Sequence, residues 1–197
     1  MQVVVAIGVL SGLFAASSLY SMHVIDQQHS DDALLQLGTR LQYHLEHLAV
    51  QAMRYRDNAP RDYPSYNRDL RLYFADLKRT RNELAKLVRA FAERRFDHQV
   101  MGEDMAMAPQ LPVACYPLAD RLTQAWQKFS IGLDERLGGD MDEPRLEWGA
   151  EWIVEHRQGL EQAISELIDT MEAEVQTRAE WANQLNRLML TFALLVA

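Results

Sequence analysis

The chain has 197 residues, of which 48% are hydrophobic and 24% charged, and its formal net charge is -8 at pH 7. This apolar fraction is enough for one domain with a core of its own. The negative charge provides no basic field for phosphate groups, so we expect no nucleic-acid partner. Cys115 is the single cysteine, so no disulfide can form within the chain and the fold must rest on packing.

The N-terminal segment is apolar, with no charged residue between Val3 and Tyr20. A helix that crosses a membrane needs about 20 apolar residues. Residues 1–22 meet this length, and we expect them to form a transmembrane helix. A cleaved signal peptide is the alternative, because small residues at positions 15–17 could supply a cleavage site, but the basic segment that precedes such a peptide is missing.

Residues 23–187 form the predicted helical domain. Its first helix should continue out of the apolar segment without a break, since no glycine or proline lies between Leu13 and Leu37. Prolines at positions 60 and 64 end it. Apolar side chains three or four residues apart predict one buried stripe along this helix. The stripe consists of Leu34, Leu37, Leu41, Leu45, Leu48, Ala52 and Tyr55.

Three further helices are predicted. The second runs from about Ser65 to Arg95, and a loop covers residues 96–116. The third begins at Pro117 and stops at the glycines 138 and 139, and the last begins near Pro144. Each has an apolar face. In the second helix it consists of Leu70, Leu77, Leu84 and Phe91, with Phe74 and Val88, and in the third of Leu118, Leu122, Ala125, Phe129 and Leu133. In the last helix it consists of Ile153, Leu160, Leu167, Trp181 and Leu188, with Ile164, Met171 and Leu185.

The C-terminal segment, residues 188–197, is apolar throughout but too short to cross a membrane. We interpret it as the start of a second transmembrane helix that is cut short. The predicted fold is therefore all-α: an antiparallel four-helix bundle flanked by an N-terminal transmembrane helix and a truncated C-terminal one. From this architecture we expect the bundle to lie outside the cytoplasm.

Two segments carry a family resemblance: residues 35–42, LQLGTRLQ, with Gly38 and Arg40, and residues 122–129, LTQAWQKF, with Trp126. Together with the order of elements, they resemble the extracytoplasmic four-helix-bundle sensor domains of bacterial transmembrane receptors, in particular the nitrate-sensor and type IV pilus chemoreceptor type. The resemblance implies a homodimeric domain on the periplasmic side of the inner membrane. It would bind a small-molecule or anionic ligand and pass a helix shift to a histidine kinase, a diguanylate cyclase or a chemotaxis signalling coil.

Three arginines are the candidate ligand-binding residues, since a guanidinium group can bind an anion through two hydrogen bonds. Arg40 lies beside the stripe of the first helix, and Arg54 belongs to a basic cluster at the tip remote from the membrane. Arg81 occupies a position in the apolar row of the second helix at which an apolar residue is expected. The alternatives are structural: solvated surface for the first two, and for Arg81 a buried pair with a carboxylate such as Glu166.

His44 and His47 are three residues apart and could join a metal or haem site, although ordinary surface histidines explain them as well. The sequence contains no Gly-rich phosphate loop, nucleophile elbow or zinc-ligand spacing, so we expect neither catalysis nor a cofactor. Two alternatives to a sensor stay open. One is a membrane-anchored helical adaptor or structural protein without ligand sensing, and the other is a periplasmic helical protein whose leader is removed.

Overall fold

A computed structural model describes the backbone of residues 2–58, 66–101, 108–139 and 145–196. Side chains are described at positions 12, 15, 17–57, 68–97, 100–101, 108–139, 145–189 and 191. In this part of the chain the structure is helical apart from short connections and contains no strand.

Four long helices account for most of the chain: α1 spans Gln2–Asn58, α2 Tyr66–Glu93, α4 Tyr116–Leu137 and α5 Leu146–Val196. The predicted boundaries are confirmed to within a few residues. The predicted loop between the second and third long helices contains two short elements that periodicity did not indicate. They are the single-turn helix α3, His98–Met101, and a 3₁₀ turn, Val113–Cys115.

Both ends of α4 follow from local chemistry. Pro117 lies in the first turn, where its missing N–H has no helical partner to lose. Gly138 ends the helix with φ +72°, a conformation that glycine adopts without a Cβ clash, and its N–H donates to the carbonyl of Asp134 at 3.1 Å.

The long helices form a closed ring of contacts, as in a four-helix bundle: α1 contacts α2 and α5, and α4 contacts the same two helices. α1 and α5 run antiparallel. Asp31 pairs with Arg178, whereas farther along α1 Leu45 lies beside Glu161. The N-terminal part of α1 and the C-terminal part of α5 both extend past the Asp31–Arg178 pair, so the two helices leave the bundle at the same end.

The predicted stripes form the core. Every residue of the α1 stripe and both predicted rows of α2 are buried, and Leu34, Leu41, Phe74 and Leu84 have no exposed surface. Three members of the α5 row are instead exposed: Trp181 by 69%, Leu185 by 37% and Leu188 by 67%. They lie beyond the level of Arg178, near which α4 begins, so in the described part of the chain α1 is the one helix that lines the clefts beside α5 there.

Within the described residues, no helix has a stretch that is long and apolar enough to cross a membrane. The two predicted anchors therefore receive no support from the structure. Most side chains of residues 1–22 and 188–197 lie outside the described residues.

Candidate functional site

A cleft of about 580 Å³ lies between α1 and α5 where the two helices leave the bundle. Its apolar lining comes from Val24 on α1 and from Val175, Ala179 and Ala182 on α5. Small and β-branched side chains leave this space open because, among the described residues, only α1 and α5 line the cleft at this level.

An ion pair between a buried carboxylate and a partly exposed arginine closes the bundle end of the cleft. Asp31 of α1 is 7% exposed, and its Oδ1 accepts hydrogen bonds from Arg178 Nη1 of α5 at 2.9 Å and from Gln27 Nε2 at 3.2 Å. A buried carboxylate is tolerated when it is paired in this way. The Nη2 atom of Arg178 is buried and has no hydrogen-bond partner among the described residues. The pair ties the two terminal helices together at the point where they leave the bundle.

The open end of the cleft carries aromatic side chains: Tyr20 contributes from α1, and Trp181, which is 69% exposed, contributes from α5. His23 also lines this end. Asp32 lies at the bundle end of the cleft, next to Asp31 on α1; it is exposed and makes no ion pair with any described residue. The cleft therefore combines an apolar floor, two aromatic rings and one unpaired carboxylate.

Cys115 lies next to this region, in the turn that leads into α4, and has no exposed surface. Burial, and then the neighbouring Glu174 carboxylate, raise the pKa of its thiol to about 11, against a smaller opposing effect of Arg178. The thiol is therefore protonated at neutral pH and is a poor nucleophile.

Arg40 contacts the α2–α4 connection. Its Nη1 donates to the carbonyl of Val100, in the single turn of α3, at 2.5 Å. A cation at this end of a helical turn satisfies a carbonyl that has no helical partner. The observed contact of Arg40 is thus structural, and its predicted role in ligand binding stays a prediction. Arg54 is exposed near the C-terminal end of α1, where its predicted role is equally untested.

Arg81 pairs with a carboxylate, as the structural alternative requires, but the partner is Asp134 of α4. The guanidinium also lies over the ring of Trp126, 5.6 Å from its centroid. The suggested partner Glu166 is instead paired with Arg121. A hydrogen bond from Gln162, and then the contact with Arg121, lower the pKa of Glu166.

His44 and His47 have ordinary packing roles. His47 Nδ1 lies 3.4 Å from the hydroxyl of Thr80, and its ring stacks on Tyr43. Burial, and then the charge of Arg40, lower the pKa of His44, which favours its neutral form. In the part of the chain that the structure describes, no group of three or more His, Cys, Asp or Glu side chains could hold a metal. The weak metal hypothesis therefore gains no support.

The charged pair at the cleft was missed from the sequence, although a signal existed. Asp31 lies seven residues before Gly38 and fourteen before Leu45, and Arg178 lies seven after Met171 and fourteen after Ile164. Each is a charge in an otherwise buried row, which is the same pattern that drew attention to Arg81.

Comparisons with protein-family models, with curated proteins and with solved structures find no match to this chain. The function is therefore argued from the geometry of the chain itself.

Proposed function

We propose that the chain is the ligand-sensing input domain of a homodimeric bacterial transmembrane receptor whose output is a histidine kinase, a diguanylate cyclase or a chemotaxis signalling coil. The bundle lies on the periplasmic side of the inner membrane, and the terminal helices anchor it. One observation carries the proposal: α1 and α5 leave the same end of the bundle as an antiparallel pair, held by Asp31 and Arg178.

The levels of the two apolar segments support membrane anchoring. Tyr20, near the end of the N-terminal segment, lies with Ala182 and Asn186 around a smaller cleft of about 240 Å³. Arg187 is the last charged residue before the C-terminal segment. The two segments therefore begin at about the same level of the helix pair, as two helices that enter one membrane face together must do.

The proposed signal is a small shift of α5 relative to α1. Packed helices can switch between two arrangements that differ by about 1–2 Å. A ligand drives such a shift only if it binds the two arrangements with different affinities. The cleft meets this condition in principle because both helices line it, so its shape depends on their relative position.

A membrane-anchored adaptor without ligand sensing is the second candidate. The exposed apolar residues Trp181 and Leu185 on α5 favour it, since such a row could pack against a helix of another protein. In an adaptor, the ion pair would affect stability but would have no output to control.

The test is a chimera in which residues 1–187 replace the input domain and first membrane helix of a receptor kinase that keeps its own second transmembrane helix and has a measurable reporter. Asp31→Asn and Arg178→Met should each change basal output by about fivefold or more, as expected for typical coupling energies. Asp26→Asn on α1 and Arg89→Met on α2 are matched controls at exposed positions and should leave output unchanged. Equal output from all five proteins, at equal membrane levels, would favour the adaptor.

A further inference from the structure

The α1–α5 cleft is elongated. On α1 its lining extends from Tyr20 to Asp32, which is about 18 Å at the helical rise per residue, and on α5 it extends from Val175 to Ala182, about 10 Å. Its volume of about 580 Å³ falls within the range of about 300–1,000 Å³ that is usual for ligand sites. The cleft therefore suits an extended molecule that lies along the two helices.

The bundle end of the cleft contains a hydrogen-bond donor without a partner. Arg178 binds Asp31 through Nη1 at 2.9 Å, whereas its Nη2 is buried and has no acceptor among the described residues. The side chain of Arg178 is 34% exposed and lines the cleft, so a small rotation brings Nη2 to a bound group. A ligand that accepts a hydrogen bond from Nη2 would remove the cost of an unsatisfied buried N–H group.

The charges around this donor favour an uncharged acceptor. Three carboxylates, those of Asp31, Asp32 and Glu174, lie around the single guanidinium of Arg178. This excess of negative charge would repel a further anion. An ammonium group would be attracted, but it has no acceptor atom and would leave Nη2 unsatisfied. An amide meets both conditions, because its carbonyl can accept from Arg178 and its N–H can donate to the exposed carboxylate of Asp32.

The floor of the cleft accommodates an alkyl chain. Val24 contributes from α1, and Ala179 and Ala182 contribute from α5, while Tyr20 lies at the end remote from Arg178. A chain that covers these side chains removes apolar surface from water, which favours binding. The end of the chain would then lie near the level at which the two helices are proposed to enter the membrane.

We propose that the cleft binds an extended, uncharged amphiphile, with an amide group between Arg178 and Asp32 and an alkyl chain along the apolar floor toward Tyr20. The proposal rests on the proposed function, for which it names the class of ligand. Because the ligand contacts both α1 and α5, its affinity depends on the relative position of the two helices.

The first experiment is calorimetric titration of the full chain, kept in solution by an amphipathic polymer, with N-hexanoylglycinamide. The polymer alone is the blank, and saturable binding is expected. The anionic N-hexanoylglycine and the cationic N-(2-aminoethyl)hexanamide should each bind at least about fivefold more weakly, because the first is repelled and the second lacks the terminal acceptor. N-acetylglycinamide, which lacks the chain, should bind at least about tenfold more weakly. Absence of saturable binding, or equal affinity for the uncharged probe and any of the other three, would overturn the proposal.

Two variants locate the site. Arg178→Gln removes the free N–H group but keeps one that can bind Asp31, and it should weaken binding of the uncharged probe by about fivefold. Ala179→Leu fills the floor and should weaken binding by at least about tenfold, with unchanged helix content in circular dichroism because the space there is open. The matched controls on α5 outside the cleft are Arg157→Gln and Ala173→Leu, which should bind as the wild type does. Wild-type affinity in either cleft variant would contradict the assignment.

The charge argument has a separate test. In Asp32→Asn the anionic probe should bind about threefold more tightly or better, because one repelling charge is removed. Asp26→Asn, which changes an exposed carboxylate of α1 outside the cleft, should leave its affinity unchanged. An unchanged affinity in Asp32→Asn would show that the polar end of the probe does not lie at the bundle end of the cleft.

These titrations need neither a membrane nor an output. Probe binding together with a chimera whose output does not respond to the ion-pair variants would count against the receptor function alone. A responsive chimera without saturable probe binding would count against the amide-bearing ligand alone.

Discussion

Gly132 of α4 lies directly against the indole ring of Trp152 on α5, so that a Cβ at position 132 would overlap the ring. The ring has little freedom to move, because its Nε1 donates to the carbonyl of Phe129 at 3.0 Å, the ring stacks on His156, and the guanidinium of Arg136 lies over it. We predict that Gly132→Ala lowers the free energy of unfolding by about 1–3 kcal/mol, as overpacking does. Urea unfolding of the full chain in detergent, followed by circular dichroism, measures this.

Gly159 of α5 provides the control, since a Cβ added there meets no atom within 4 Å. Gly159→Ala should raise the free energy of unfolding by about 0.5–1 kcal/mol, because alanine loses less backbone entropy in a helix. If the two substitutions had effects of the same sign, the ring of Trp152 would not be fixed in the way described.

The raised pKa of the Cys115 thiol predicts that the free energy of unfolding depends on pH in alkaline solution. The thiol pKa is about 11 in the folded chain against an ordinary value of 9.0. Between these two values the unfolded chain loses the proton while the folded chain keeps it, so the free energy of unfolding falls as pH rises. Well below pH 9 the thiol is protonated in both states and contributes no pH dependence.

The measurement is the difference in unfolding free energy between the wild type and Cys115→Ala. This difference removes the titration of all other groups. The difference should be constant well below pH 9. Between pH 9 and 11 the free energy of unfolding of the wild type should fall relative to that of Cys115→Ala. A flat difference over this window would show that the folded thiol has an ordinary pKa.

Residue-level prediction from sequence succeeded where a charge interrupts an apolar row. Arg81 was identified in this way, and Asp31 and Arg178 could have been. The partners were not predictable, because periodicity gives the face on which a residue lies and not the level at which another helix passes. Asp134 lies on α4, which is next to α2 in the ring of helices, whereas Glu166 lies on α5, across the bundle from α2, and periodicity does not give this order of the helices.

The Arg81–Asp134 ion pair joins α2 to α4. Arg81 is largely buried, with 23% of its side chain exposed, and its Nε has no partner among the described residues. Asp134→Ala should therefore cost about 1–2 kcal/mol of unfolding free energy, because it leaves a partly buried guanidinium unpaired. Adding Arg81→Met should restore most of that loss, since methionine fits the apolar row between Phe74 and Val88.

The control for this pair is Asp120→Ala. Asp120 contacts Arg94 at 3.4 Å, and both side chains are largely solvated. The expected cost is below about 0.5 kcal/mol. Equal costs at positions 120 and 134 in urea unfolding would mean that the Arg81 pair is no more than a surface contact.

The extents of the helices were predictable because prolines and glycines mark their ends. The exposure of Trp181, Leu185 and Leu188 was not predictable, since a seven-residue repeat shows which face is apolar but not where the covering helices stop. The row on α5 continues past the beginning of α4, and this is what opens the cleft. The candidate site therefore arises from a difference in helix length, which only the assembled structure reveals.

At the scale of the whole molecule, two helices of the bundle extend beyond the other two and leave it together. The Asp31–Arg178 pair marks the point where they leave, and the cleft lies just beyond it. This arrangement places a candidate ligand site between the two helices that would carry the signal. The proposed function requires that these two helices continue into a membrane.

The most direct test is thiol labelling of intact bacterial cells with a membrane-impermeant maleimide, in a Cys115→Ala background. Asp57→Cys, exposed at the far end of α1, should be labelled in intact cells, whereas Gln2→Cys should be labelled only after the inner membrane is permeabilised. The protein should also stay in the membrane fraction through an alkaline carbonate wash. Release by that wash, or labelling of Asp57→Cys only after permeabilisation, would contradict a periplasmic bundle held by membrane-crossing terminal helices.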